Sequence, residues 1–489
     1  MQPPSKTSWA VIILALMAAS WLVWLRYPDF PLDDPYIVQH SVDGLLHGGE
    51  TRFVGSTPLQ GATSPALLLL ITALAWAIPT AWAQAIVIAI AAALYLLGIF
   101  RLADDAGAGA PWAALLTLLA LLAGNDLLQL LNGLETGLAM AAIIWAFIWF
   151  RDPEPSHPWQ YALAGVLPFI RPELAVLSIA LLVRAVWHVR QRRPLLPLLR
   201  PMVAWAALGA APLWAFLLAN GASILPNTVA AKAYFFAEGC RPIVQKLLLT
   251  KQAGGDFLQE IGLALLGFVA LPLARVRWIA LSFIPVFLLA YVLRLPGALY
   301  HNFHRYLYVL MPFAFAGWVV IVTLRDRLDR RIGRVLLLTA VGVALVRADV
   351  AWKTYVHYVQ FSRTELAGVT DWLAGHVAAG DTVLVHDAGY ISLRGRQPLV
   401  DLVGLKSPAS VEVHRRYTWT TCGNDPRAMD AIARQSGARY LVVLDDWDRI
   451  FQLSEGLRRT GWSVTRADRE RGQARYAVYR IVSPERAVR

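Results

Sequence analysis

The chain has 489 residues, 57% of them apolar, and a mean hydropathy of +0.49, which excludes an ordinary soluble globular protein. Its 45 Lys and Arg against 33 Asp and Glu leave a net charge of +12, but the basic residues gather in short stretches between apolar runs. That is the positive-inside pattern of a polytopic membrane protein rather than a nucleic-acid-binding surface.

In chain order, an apolar stretch at about 8–25 follows a single Lys and precedes no small-residue cleavage site, so it predicts an uncleaved first span. Residues 26–62 predict a large outer loop. The segment SPALLLLITALAWAIP (64–79) is short for a span, and counting it as one would invert every basic loop after it. It is expected to lie at the outer interface or to re-enter from it. Further spans are predicted at about 80–100, 110–129, 134–150, 159–171, 173–189, 201–219, 258–274, 278–293, 306–324 and 333–347. The Arg-rich loops at 189–200, 274–277 and 325–334 then fall inside, with Arg101 and Arg151. The result is a membrane domain over 1–347 with about eleven spans, and an odd number puts 348–489 outside. The expected location is the bacterial inner membrane, with the C-terminal domain periplasmic.

Beyond about residue 350 the apolar runs shrink to strand length. ELAGVTDWLAGHV, PRAMDAIARQSG and DRIFQLSEGLRR read as helices, and DTVLVHD, ARYLVVLDD and QARYAVYRIV as strands. A small soluble α/β domain with a mainly parallel sheet is the expected fold. Cys240 and Cys422 are too few for a disulfide scaffold or a cysteine metal cluster, though one bridge could form if both face an oxidising compartment.

Ionisable residues at membrane depth are costly and need a reason. On this topology Asp33, Asp34, His40, Asp43, Glu135, Arg171, Glu173, Lys232, His304 and Arg305 all share the outer face, where they can line one cavity. In PLDDPYIVQHSVDGLLHGG (31–49) two adjacent carboxylates open a helical pattern with Pro35 near its first turn. One Asp is explained as a helix cap; two are not. Like charges this close raise at least one pKa, as a general base working near neutral pH requires. Arg171 and Glu173 flank Pro172 and could simply pair with each other.

The string LDDPYIVQHSVDGLLHGG with GATSPALLLL (61–70) resembles the first outer loop of GT-C class membrane glycosyltransferases. The resembling branch contains the mycobacterial terminal arabinofuranosyltransferases. NGLETG (132–137), FIRPELAVL (169–177), ILPNTVAAK (224–232), HRYLYVLMP (304–312) and VHDAGYISLRGRQPLVDLVGL (385–405) look like its later blocks, in the same order. The resemblance implies a GT-C fold, a polyprenyl-phosphate sugar donor and inverting transfer on the outer face. It carries the base onto Asp33 and gives Asp34 the task of orienting the acceptor or holding a divalent metal (Mg or Mn). Lys232 and Arg305, with His304, are the expected partners of the leaving phosphate. His40, Glu135, Arg171, Glu173 and Asn227 are expected to line the cavity. Pro35 after the acidic pair, and His40 where an aromatic or apolar residue is expected, depart from the branch, and arabinose is not carried over.

His386 and Asp387 end a predicted strand before a Gly-containing turn, where they could contact an acceptor or simply serve the turn. No phosphate-cradling glycine loop is present, which fits a lipid-linked donor better than a sugar nucleotide. The acceptor is a glycan, lipid or protein of the cell envelope. Two other readings use the same features: a transporter or flippase of lipid-linked sugars, and an envelope-assembly factor acting through its soluble domain alone.

Overall fold

The computed structural model describes residues 29–152, 156–190, 194, 196–222, 226–324, 327–472 and 474–487. The expected first span, about 8–25, and Lys6 lie outside the described residues. Among the described residues, five helices are long and apolar enough to cross a membrane: Thr80–Asp105, Leu199–Ala219, Ile243–Leu273, Arg277–Arg294 and Leu328–His376. A pair bent by 42°, Pro296–Tyr308 with Met311–Val322, makes a sixth if it counts as one span. Ala110–Leu122, Thr136–Trp149 and Leu174–His188 are apolar but shorter. The span expected at 258–274 belongs to a helix that begins at Ile243, and residue 347 falls inside a continuous helix, Arg327–Phe361.

The short segment after the first loop forms the helix Pro65–Ala75, with Ser64 accepting from the Leu67 amide at its start. At 1.5 Å per residue its 11 residues reach about half-way across a hydrocarbon core. Where the bent pair meets its neighbour, two glycines let backbones touch: a Cβ on Gly317 would sit 1.8 Å from the Gly267 carbonyl oxygen. Close approach through small residues is the usual means of helix packing in lipid, where hydrophobic exclusion gives no drive.

Residues 383–482 carry a five-stranded sheet in the order β2-β1-β3-β5-β4. β1 (Val383–Val385) pairs in parallel with β2 (Leu399–Asp401) and β3 (Tyr440–Leu444). β5 (Tyr476–Val482) runs antiparallel to β3 and to β4 (Ser463–Arg466). The sheet is therefore mixed, not mainly parallel as expected. β4 and β5 are joined by a connection too short for a helical crossover, so they must turn back on each other. The helix expected from DRIFQLSEGLRR is two, Asp445–Phe451 and Leu453–Arg459, broken at Gln452 with φ 52°. The Asp448 carboxylate takes both the amide (2.7 Å) and the hydroxyl (2.6 Å) of Ser454, which starts the second helix afresh.

Two hydrophobic cores result, one among the membrane helices and one around the sheet. Ile37, Phe53, Ala231 and Phe235 come from the first part of the chain but pack into the second core. Phe53 forms a parallel bridge with Leu399, whose amide donates to the Arg52 carbonyl at 2.9 Å. Beside it the Glu50 carboxylate meets His40 Nε2 (2.8 Å) and Lys406 Nζ (3.0 Å). The Glu50 and Lys406 side chains are 2% and 0% exposed. Further round the rim, a disulfide joins Cys240 to Cys422 with their Cα atoms 5.7 Å apart. The loops of the helical part thus hold the sheet domain by a strand bridge, a buried ion pair and a covalent link.

Two outcomes follow from this docking. In the purified chain neither cysteine should take up a maleimide until a reductant is added, and labelling of the unreduced protein would refute the bridge. Glu50→Ala should strand the Lys406 charge and cost about 3–5 kcal/mol, whereas the pair Glu50→Gln with Lys406→Met should recover much of that loss. Thermal unfolding of the detergent-purified chain reads both, and equal losses in the single and double variants would contradict an ion pair.

Candidate active site

Asp33 and Asp34 open the helix Asp34–His47, but neither serves as its cap in the way expected from sequence. Asp33 makes no side-chain bond within the helix. Its Oδ2 and Oδ1 accept instead from the backbone amides of Gly389 (2.7 Å) and Tyr390 (2.8 Å), across the junction in the sheet domain. Asp34 faces the other way: its Oδ2 accepts from Arg305 Nη1 at 3.1 Å and Asn302 Nδ2 at 3.2 Å. A quarter of the Asp34 side chain stays exposed, whereas Arg305 is buried.

These settings drive the two carboxylates apart. Desolvation and the nearby Asp387 raise the pKa of Asp33 well above the usual carboxylate range, and the two amides only partly offset them. Desolvation also works against a charge on Asp34, but Arg305 and Lys232 outweigh it and hold its pKa below the usual value. Adjacent acids with opposite shifts are the arrangement that divides proton transfer from charge stabilisation.

Arg305 and Asn302 reach Asp34 because the chain before them is bent into an unusual path. Asn302, Phe303 and His304 all have left-handed backbone, with φ of 51°, 59° and 58°. Gln129 Nε2 holds this turn by donating to the carbonyls of Asn302 and Phe303, both at 2.9 Å. His304 Nδ1 anchors its end on Glu260 at 3.0 Å. Three consecutive left-handed residues other than glycine cost of order 1–3 kcal/mol each, and such strain concentrates at functional sites.

Past the turn, Tyr306 is the centre of a cationic cluster. Lys232 Nζ donates to its hydroxyl at 3.1 Å and Arg305 Nη2 at 3.3 Å. The guanidinium carbons of Arg171 and Arg305 lie 4.8 and 5.2 Å from its ring centre, and Lys232 Nζ lies 5.7 Å from it. The ring's negative face draws all three. Arg171 is balanced by Glu173 (2.7 Å) and Glu135 (3.3 Å), and Tyr291 donates to Glu173 at 3.2 Å. Arg171 and Glu173 do pair, but as part of this larger network. A cavity beside the cluster is lined by Asp34, Glu135, Thr228, Lys232 and Arg305, with Leu67, Leu68 and Leu134 forming an apolar wall.

Of the residues expected at one site, the structure brings Asp33, Asp34, Glu135, Arg171, Glu173, Lys232 and Arg305 together. Four others lie elsewhere. His40 is not in the cavity; it is spent on Glu50 at the junction. His304 turns to Glu260, because the left-handed turn points it away from Arg305. Asn227 donates to the Gly404 carbonyl at 2.9 Å and lines a separate groove with Tyr234 and Leu217. Asp43 accepts from the Thr80 hydroxyl at 2.6 Å. His386 and Asp387 pair at 3.1 Å, and Asp387 also accepts from the Tyr476 hydroxyl. His386 and Tyr476 thereby hold Asp387 below the usual carboxylate range in spite of its desolvation.

Among the described residues, no group of three or more His, Cys, Asp or Glu is placed to hold a metal ion. The Asp34 oxygen that a metal would use meets Arg305 and Asn302. Sequence reasoning missed Asn302, Gln129, Gly389, Tyr390, Glu50 and Lys406. Gly389 and Tyr390 sat inside a recognised block, so the signal was present there; nothing marks Gln129 or Lys406 as partners of residues so distant in the chain.

A family model described as a domain of unknown function, DUF8728, matches residues 353–479. No protein of curated function matches the sequence. Among solved structures, ArnT from Cupriavidus metallidurans bound to undecaprenyl phosphate matches at TM-score 0.54 and 15% identity, over 97% of this chain and 98% of its own. The same protein in the apo state matches at TM-score 0.53 and 14% identity, over 96% of this chain and 97% of its own. The apo oligosaccharyltransferase of Archaeoglobus fulgidus follows at TM-score 0.46 and 12% identity, over 90% of this chain and 70% of its own. The likeness to ArnT runs over nearly the full length of both chains and shows the fold: the chain has an ArnT-like architecture.

Proposed function

We propose that the chain is an inverting glycosyltransferase that takes a sugar from a polyprenyl-phosphate donor and passes it to a cell-envelope acceptor at the outer face of the inner membrane. The observation that carries this reading is the pair Asp33 and Asp34, with opposite electrostatic settings, beside two buried arginines and the half-buried Lys232 gathered on Tyr306. ArnT, the full-length structural neighbour, has been solved with undecaprenyl phosphate, which supports a lipid phosphate as the leaving group.

On this reading an acceptor hydroxyl attacks the anomeric carbon, and Asp33 takes its proton as the new bond forms. The bond from that carbon to the phosphate oxygen breaks, and lipid phosphate leaves with the negative charge. Lys232, Arg305 and the Tyr306 hydroxyl receive that charge in an enclosed site, where such contacts act most strongly. Asp34 keeps Arg305 in place, a task that requires no metal. Eleven crossings, with residues 1–347 in the membrane and 348–489 in the periplasm, complete the proposal. A disulfide between Cys240 and Cys422 suits an oxidising compartment. The sugar and the acceptor are to be read from the product.

The test compares envelope glycans and lipids of the native host, a deletion strain, and deletion strains complemented with variants at matched expression. Deletion should remove one sugar, and Asp33→Asn should lower transfer about 10²–10⁴-fold, the usual contribution of a general base. Lys232→Met and Arg305→Met should each cost about 10²–10³-fold, and Arg305→Lys should not restore the forked contact. Because the Asp33 pKa is raised, transfer should climb with pH above the ordinary carboxylate range as its proton is lost. Full activity of Asp33→Asn would remove Asp33 as the base. No change in any envelope sugar on deletion would remove the enzyme reading.

A further inference from the structure

The bonds to Asp33 come from the sheet domain, and their geometry leaves no slack. Gly389 has φ −85° and ψ −79°, so its backbone does not itself require glycine. Space does. A Cβ there would lie 2.1 Å from the Asp33 carbonyl oxygen, 2.8 Å from Oδ2 and 2.9 Å from Cγ. The turn is pinned from behind, since the Gly389 carbonyl accepts from the Ser392 hydroxyl at 2.7 Å and the Leu393 amide at 3.1 Å. In front, the Tyr36 and Tyr390 rings meet edge to face with centroids 5.0 Å apart, and the Tyr36 amide donates to the Asp33 carbonyl at 2.9 Å.

From this we propose that Gly389 and Tyr390 are positioning residues for Asp33: the sheet domain orients the acid and keeps it able to accept a proton through two backbone amides. The proposal rests on the reading of Asp33 as the base. Donation from two N–H groups favours the charged carboxylate. It works against desolvation and against the carboxylates of Asp387 and Asp34. Tyr36 and Tyr476 also lie close to Asp33, and His301 lies toward Asp34 and Asp387. If the sheet domain shifts, the base is both misdirected and more easily protonated. The soluble domain then belongs to the chemistry itself, in addition to anything it does for the acceptor.

The test uses the full-length purified chain added to membranes of the deletion strain, which contain both the donor and the unmodified acceptor. Transfer is followed as a function of pH for wild type, Gly389→Ala, Ser392→Ala and Asp33→Asn. Gly389→Ala should be about tenfold slower near neutral pH, with the acid limb of its profile moved up by about one pH unit and the rate recovering at higher pH. Ser392→Ala leaves the Gly389 carbonyl its bond from Leu393, so it should move the limb in the same direction by less. It also carries the test if Gly389→Ala does not fold. A wild-type profile in both variants, or a loss equal at every pH, would overturn the positioning role while an inactive Asp33→Asn left the base in place. An active Asp33→Asn would overturn the base reading, and the positioning role with it.

Discussion

The segment that carries Asp33 and Asp34 has to satisfy two bodies at once. Asp33 and Asp34 are neighbours in sequence, yet one accepts from the backbone of the sheet domain and the other from an arginine among the membrane helices. Adjacent carboxylates repel, and the helix they open leaves them no shared partner. Splitting them between opposite walls resolves the conflict, and every other feature of the site depends on that split. It requires the sheet domain to sit at a fixed height on the loop, which the Glu50–Lys406 pair, the Phe53–Leu399 bridge and the disulfide secure.

On the membrane side the problem is buried positive charge. Arg171 and Arg305 are 0% and 2% exposed, and isolated charges at such burial would be very costly. Glu135 and Glu173 answer Arg171, Asp34 answers Arg305, and Tyr306 presents its ring and its hydroxyl to the same cluster. Such a cluster is poor evidence for stability, since apolar residues would pack as well without the desolvation cost. Its retention points to a role beyond packing. The left-handed turn at Asn302–His304 supports the same view, because a strained segment held by Gln129 and Glu260 would hardly persist for packing alone.

The sheet domain is small. Its mixed sheet has the β4–β5 hairpin on one edge and β2 on the other, where Phe53 bridges to Leu399. The turn after β1 delivers Asp387, Gly389 and Tyr390 to Asp33. Asp387 raises the Asp33 pKa while its own charge is kept by His386 and Tyr476. A carboxyl group with a raised pKa therefore arises between two domains, and neither domain produces it alone.

Membrane character, the soluble C-terminal part, most of its helices and strands and the acidic pair were all legible in the sequence, because hydropathy, period and charge are local properties of a chain. The topology read from charge placed Lys232, Arg171, Arg305 and the acids on one face; in the structure Asp34, Lys232 and Arg305 line one cavity, Arg171 packs beside it on Tyr306, and Asp33 turns to the sheet domain. What the sequence could not decide was pairing. That Asp33 would bond to Gly389, that His40 would be used up by Glu50, that His304 would turn to Glu260, and that Cys240 would meet Cys422 depend on contacts between residues tens to hundreds of positions apart. Those contacts are selected by the packing of whole helices and the seating of one domain on another. A window of sequence reports which side chains can ionise; only the tertiary structure decides which charges they meet.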